Sequence, residues 1–311
     1  MSHLKTIVAA TDLAAPSRHA ADRAARMAKT DGATLTLVHT LGSTALDDLR
    51  RWLSDSDAAC AAIETDARDR LHALALELGQ RHGLEVQERL VTGHPVEAVT
   101  RHASEADADL VVTGTRGAGF FRGVIVGSTA ERIARRSGRP VLMVRQTPRE
   151  PYRRVLVPVD FSPWGGSAIA LALQAAPGAT LILMHAVEVP FEGKLRLAGV
   201  DSKKIGQYRD AARREAQQKL QALATQAGVA ADRFHLIAPD GGAPWMQIVQ
   251  QEQELDCELI VIGRQGRHAV DELLLGSTTR MVMSECSADV LVSTRSRAGE
   301  RMPAESMRME P

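Results

Sequence analysis

Short apolar runs alternate along this chain with longer stretches in which apolar residues return every three or four positions. Residues 4 to 10 form an apolar run closed by Thr11 and Asp12, and the Ala-rich stretch from Ser17 to Lys29 has helical spacing. Residues 34 to 39 predict a second strand. From about Ala58 to Arg81, the residues Ile63, Ala67, Leu71, Leu74 and Leu78 fall on one helix face. The pattern continues with a strand at Leu84 to Val91, a helix at Pro95 to Ala106 and a strand at Leu110 to Thr113. A helix at Ser128 to Arg136 and a strand at Pro140 to Val144 close the unit. Such alternation implies right-handed crossovers and a parallel sheet with helices on both faces.

The pattern then restarts. Strands are expected at Arg154 to Val159, Thr180 to His185, Phe234 to Ile237, Leu259 to Gly263 and Asp289 to Ser293. Helices are expected at Ser167 to Ala176, about Tyr208 to Gln226, Pro244 to Gln251 and Ser277 to Ser284. The two copies keep register: Asp160 follows Asp12 by 148 positions, His185 follows His39 by 146, and Gly263 and Ser277 follow Gly114 and Ser128 by 149. The reading is a tandem α/β duplication, with domains at 1–146 and 153–294 joined by a Pro-containing linker at 147–152. The tail, 295–311, has mixed charge and no periodicity and is expected to be disordered.

Composition narrows the class. Hydrophobic residues make up 44% of the 311 and aromatics only 3%, so the core must be built from Ala, Val, Leu and Ile, as in parallel sheets. Lys plus Arg and Asp plus Glu are both 38, so bulk charge gives no reason to expect nucleic acid or an anionic membrane as partner. Cys60, Cys257 and Cys286 lack CxxC or zinc spacing, which fits a reduced compartment. No apolar run reaches bilayer length, and the N-terminus reads as a strand. The expectation is a soluble, cytoplasmic protein.

The candidate chemistry lies in two glycine-rich stretches. Gly114, two residues, Gly117, nine residues, then Gly127 and Ser128 recur as Gly263, Gly266, Gly276 and Ser277 at the same spacing. A glycine past a strand permits positive φ and close approach of an anion to the backbone. A Gly-Ser pair opening a helix offers a hydroxyl and unpaired N–H groups at the positive end of the helix dipole, which suits phosphate. Neither copy has the lysine of a P-loop or the spacing of a dinucleotide fingerprint.

With these motifs and both strand-end aspartates, the chain resembles the universal stress protein family in its tandem, ATP-binding form, over roughly 4–145 and 153–294. The resemblance implies two doubly wound domains, each a five-stranded parallel sheet ordered 3-2-1-4-5, and ATP with Mg2+ as ligand. It implies that Asp12 and Asp160 lie beside the adenosine, and that Thr40 and Ala186 line the adenine slot. Gly114, Gly117, Gly127, Ser128 and Thr129 would face ribose and phosphates in the first half, and Gly263, Gly266, Gly276, Ser277 and Thr278 in the second. Arg116 and Arg264 would add charge-assisted contacts, although they differ by one position within the loop. The resemblance also implies pairing of the halves through their last strands, as an intrachain pseudo-dimer, and leaves a homodimer open. Departures are Ala10 where the second half has Pro158, and Ser287-Ala288-Asp289 before the last strand.

Plainer readings stand beside these. Asp12 and Asp160 suit helix capping as well as ligand contact, and Ser128 and Ser277 suit N-caps. His39 and His185 read as hydrogen-bonded structural histidines, and Phe120 and Phe121 as packing of their own loop. No general base is aimed at a γ-phosphate, so the expected function is nucleotide binding in stress adaptation and not catalysis. The alternatives are a slow ATP hydrolase or self-phosphorylating regulator, and a dimerisation scaffold with vestigial loops.

Overall fold

The computed structural model describes residues 3–43, 51, 56–115, 127–162, 165–188, 192–265 and 275–294. The first half runs β1 (Thr6–Thr11), α1 (Ala15–Asp31), β2 (Thr34–Leu41), α2 (Ser56–His82), β3 (Val86–Thr92), α3 (Pro95–Glu105), β4 (Leu110–Gly114), α4 (Ser128–Arg136) and β5 (Val141–Val144). The second runs β6 (Arg154–Pro158), α5 (Gly165–Ala175), β7 (Thr180–Met184), α6 (Glu192–Leu197), α7 (Ser202–Gln226), β8 (Phe234–Ile237), α8 (Pro244–Glu254), β9 (Leu259–Gly263), α9 (Ser277–Glu285) and β10 (Asp289–Ser293). Arg116, Gly117, Phe120, Phe121, Gly266 and the 295–311 tail lie outside the described residues.

Two departures from the sequence pattern occur before β8. The α6 turn is too short to carry a period. Helix α7 starts earlier than its apolar spacing suggests, because Asp201 caps it by accepting the Lys203 N–H at 3.0 Å.

The strands form one ten-stranded sheet in the order β3-β2-β1-β4-β5-β10-β9-β6-β7-β8. Each half thus has the order 3-2-1-4-5, and every pairing is parallel except β5 with β10. Side-chain alternation divides the core into two layers. Ile7 and Ala9 of β1 join α1, α2, α5 and α7 on one face, while Val8 joins α3, α4, α8 and α9 on the other. Each layer holds residues of both halves. Among the described residues no helix is long and apolar enough to cross a membrane.

At the seam, Val141, Leu142 and Met143 of β5 face Val292, Leu291 and Val290 of β10 in antiparallel register. Each apolar strand covers what would otherwise be the other's open edge. The connection between the halves is anchored on Asp289. Its Oδ1 accepts the N–H groups of Arg145 (2.7 Å) and Gln146 (3.1 Å), and its Oδ2 accepts the Tyr152 hydroxyl (2.7 Å). Arg23 of α1 lies over the Tyr152 ring at 4.0 Å and donates to the Glu150 carbonyl at 2.8 Å. Burial pushes the Asp289 carboxyl above its usual range despite these donors, and burial together with Asp289 pushes the Tyr152 phenol well above its own.

Candidate functional site

The connections of β1 and β4 leave in opposite directions, so their carboxyl ends flank a crevice at the switch point of the first half. The β1–α1 turn closes one side. Asp12 Oδ1 accepts the Ala14 N–H at 3.0 Å and the Ser17 hydroxyl at 2.6 Å, and the Thr11 hydroxyl lies 3.0 Å from that of Ser17. Leu13, inside the turn, has φ 65°, a left-handed conformation that only a surrounding set of bonds maintains in a branched residue. The N-cap of α1 is Ala14, so Asp12 is the pivot of an Asx turn and not the helix cap. Its half-buried carboxylate also lines the crevice.

The other side is the start of α4. Gly127 is the N-cap, with φ −67° and ψ 140°, and its N–H donates to the Thr115 carbonyl at 2.6 Å. Ser128 is the first helical residue and Ser277 holds the same place in α9 after the Gly276 N-cap, which corrects the reading of these serines as N-caps. The residue at each N-cap is a glycine, which has no side chain to cap the helix start. The N–H groups of the first turn of α4 therefore point out at the positive end of the dipole, with Ser128 and Thr129 exposed beside them.

Between these sides is a cavity of about 360 Å³, which Asp12, Thr40, Gly114, Gly127, Ser128 and Thr129 line together. Val38 and Val99 add an apolar wall. Gly114 has a role the sequence did not reveal. A Cβ there would lie 3.1 Å from the Pro16 carbonyl oxygen and 3.3 Å from the Ser17 Cα, so its bareness lets the first turn of α1 pack against β4. Gly114 is not among the positive-φ glycines, so turn geometry is not the reason for it.

His39 Nδ1 is 2.8 Å from the Thr11 carbonyl, and His185 Nδ1 is 2.8 Å from that of Val159. Both histidines tie strand two to strand one. Among the described residues, no group of three or more His, Cys, Asp or Glu side chains could hold a metal. Cys257 and Cys286 are buried with their thiols pushed up to about 12, chiefly by burial, which makes them poor nucleophiles.

The second half repeats the turn with different side chains around it. Asp160 Oδ1 accepts the Ser162 N–H at 3.0 Å, and Phe161 has φ 58° at the position of Leu13. Asp160 Oδ2 is buried with no hydrogen-bond partner among the described residues, whereas Asp12 is joined by the Ser17 hydroxyl. The Phe161 ring packs on His185, with centroids 4.2 Å apart. At the shared spacings, Ala10, Val38, Val99, Thr113 and Ala130 become Pro158, Met184, Ile248, Ile262 and Thr279. Pro158 also lacks an N–H: β6 pairs β9 only at Val155 and Leu156, while the β1–β4 ladder continues to Ala10. Ala186, expected in a ligand slot, packs against the core layer, and the Thr279 hydroxyl donates to the Gly263 carbonyl at 2.7 Å. Thr278 follows Ser277 in the first turn of α9.

Arg264 reaches across the seam into the first half. Its Nη1 donates to the carbonyls of Arg135 (3.1 Å) and Ser137 (2.8 Å), at the far end of α4 in the first half. Its counterpart by backbone bonding is Thr115, not Arg116, because the carbonyls of Thr115 and Arg264 receive the N–H groups of Gly127 and Gly276 respectively.

Fold and crevice together define a tandem, doubly wound α/β protein with a ligand-sized site at the switch point of its first half. The universal stress protein family model matches residues 3–145 and again 151–294. The chain belongs to the universal stress protein family. A universal stress protein of Mycobacterium tuberculosis is 28% identical over 232 residues, covering 70% of this chain and 72% of that relative. Another from the same species is 33% identical over 153 residues, covering 47% of this chain and 100% of the relative. A solved universal stress protein structure from Archaeoglobus fulgidus has the same fold, with a TM-score of 0.68 at 20% identity, over 94% of this chain and 98% of that one.

Proposed function

We propose that this chain binds ATP, carried with Mg2+, in the first crevice, and that it acts in the cytoplasm in stress adaptation. The observation that carries the reading is the convergence of Asp12, Thr40, Ser128 and the glycine-capped start of α4 on one cavity of about 360 Å³. That volume falls within the roughly 300–1,000 Å³ of small-molecule sites. The α4 N-terminus suits the phosphates, the Val38 and Val99 wall suits the adenine face, and Asp12 and Thr40 suit the polar edge of adenosine. The described residues offer no metal cage, so Mg2+ would enter on the nucleotide, where it neutralises phosphate charge.

The chain is read as a nucleotide-dependent regulator and not as a hydrolase. Asp12 sits at the proposed adenosine end and is engaged by the Ala14 N–H and the Ser17 hydroxyl. Bound nucleotide acts by favouring one shape or partner over another, which requires different affinity for the two states. The larger wall residues of the second half, with Arg264 turned to α4, support one nucleotide per chain. The β5–β10 pairing supports an internally paired unit of two domains, 1–146 and 153–294, joined by 147–152.

Calorimetric titration with Mg-ATP tests this. The wild-type chain is expected to bind one equivalent. Ser128→Asp sets a negative charge where the phosphates would sit, and the affinity is expected to fall by about ten-fold or more. The same aspartate complements the helix dipole, so thermal stability is expected to hold or rise. Ser277→Asp is expected to leave the titration unchanged. A wild-type chain giving neither heat nor a thermal shift with Mg-ATP would remove the ATP reading.

A further inference from the structure

The seam lets each half reach the last helix of the other. Arg264, directly after β9, donates to the Arg135 and Ser137 carbonyls in the final turn and C-cap of α4. In the other direction Arg145, directly after β5, donates from Nη2 to the Met283 carbonyl in the last turn of α9. The end of a helix carries unpaired carbonyls and the negative end of the dipole, so a guanidinium is well matched to each place. Each half therefore holds the C-terminal end of the other's last helix.

The Arg264 link is the more informative of the two. Its carbonyl receives the Gly276 N–H at 2.8 Å at the start of α9, and its own N–H donates to the Ser293 carbonyl at 3.1 Å. One residue thus joins the strand and last helix of the second half to α4 of the first. Helix α4 has nine residues and is about 13 Å long, a rigid rod with Arg264 at one end and the crevice at the other.

We propose that Arg264 is a positioning residue for the ligand site of the first half. It fixes α4 along its axis, so that Ser128 and the first-turn N–H groups face the crevice. It also transmits occupancy of that crevice to the start of α9. This rests on the reading of the first crevice as a nucleotide site, and the test keeps the two apart.

Mg-ATP is titrated into wild type, Arg264→Gln, Arg264→Lys and a seam control, Tyr152→Phe, which loses the bond to Asp289 but leaves α4 untouched. Arg264→Gln is expected to weaken binding roughly ten-fold at unchanged stoichiometry, the scale of bonds to a charged donor. Arg264→Lys, which keeps the charge, is expected to recover part of the loss. Tyr152→Phe is expected to lower thermal stability without changing affinity. In hydrogen exchange, nucleotide is expected to slow amides in 128–136 and in 276–280 of wild type, but only in 128–136 of Arg264→Gln. No binding by wild type would overturn both the nucleotide reading and this inference. Wild-type affinity and cross-seam protection in Arg264→Gln would overturn this inference alone. So would an equal loss of affinity in Tyr152→Phe, which would reduce Arg264 to general support of the seam.

Discussion

The two halves share a strand order, a strained turn after strand one and a histidine tie, yet they differ where β1 and β6 end. In the first half Ala10 lets the ladder to β4 continue, Ser17 engages Asp12, and small residues leave a crevice. In the second half Pro158 ends the ladder early, Phe161 packs on His185, and Asp160 keeps a buried oxygen without a partner among the described residues. The comparison teaches that a duplicated backbone does not preserve the side chains that surround it. The strand ends and turns are fixed by backbone bonding, whereas the space between them depends on a few side-chain volumes.

The strongest way to test this asymmetry is at the seam, where Asp289 occupies the position of Pro140. Asp289→Ala leaves Tyr152 and two backbone N–H groups without their acceptor and Arg23 without its nearby charge. The expected loss in urea denaturation is about 3–5 kcal/mol. Pro140→Ala, its counterpart, is expected to cost well under half as much. Equal losses would mean that the seam does not depend on this buried carboxylate.

A smaller effect separates the two strand-end glycines. Gly114→Ala forces a methyl against the α1 backbone and is expected to cost about 1–3 kcal/mol. Gly263→Ala meets only the Gln265 carbonyl, at 3.3 Å, and is expected to cost less. Reversal of that order, read by thermal and urea unfolding, would contradict the close α1–β4 packing as the reason for Gly114.

The smallest effect concerns pH. In α1, burial alone would raise the Asp22 carboxyl, but hydrogen bonds from His82, Arg26 and Arg81 outweigh it and hold it below the usual range. The stability this group contributes is present above an unfolded carboxylate value of about 3.9 and is lost as pH falls through the lowered folded value. The α5 helix, GGSAIALALQA, has no charged residue to make a similar contribution. Asp22→Asn is expected to flatten part of the decline in urea midpoint between about pH 5 and pH 3. Parallel declines in wild type and variant would assign the acid sensitivity elsewhere.

Much of the fold was legible because its signals are local. Strand and helix periods, the 146- to 149-residue repeat and the paired strand-end aspartates need only near neighbours in sequence, and they led to two doubly wound halves. Boundaries were less legible where capping decided them, as Asp201 does for α7. At the site, the sequence identified Asp12, Thr40, Gly114, Gly127, Ser128 and Thr129, which do meet at one crevice. It left open whether Asp12 was a cap, and it misassigned the N-cap by one residue, because a serine after a glycine fits either position until backbone angles are known.

What the sequence determined by itself is therefore the repeat, the layering and the residues available at each strand end. Tertiary structure alone decided that Gly114 is bare for the sake of α1, that Asp289 anchors the connection, and that Arg264 reaches α4 across 127 and 129 positions of chain. Those outcomes depend on which side chains meet after the sheet has formed. Periodicity records which face a residue turns inward, but not the volume or the carbonyl that it finds there.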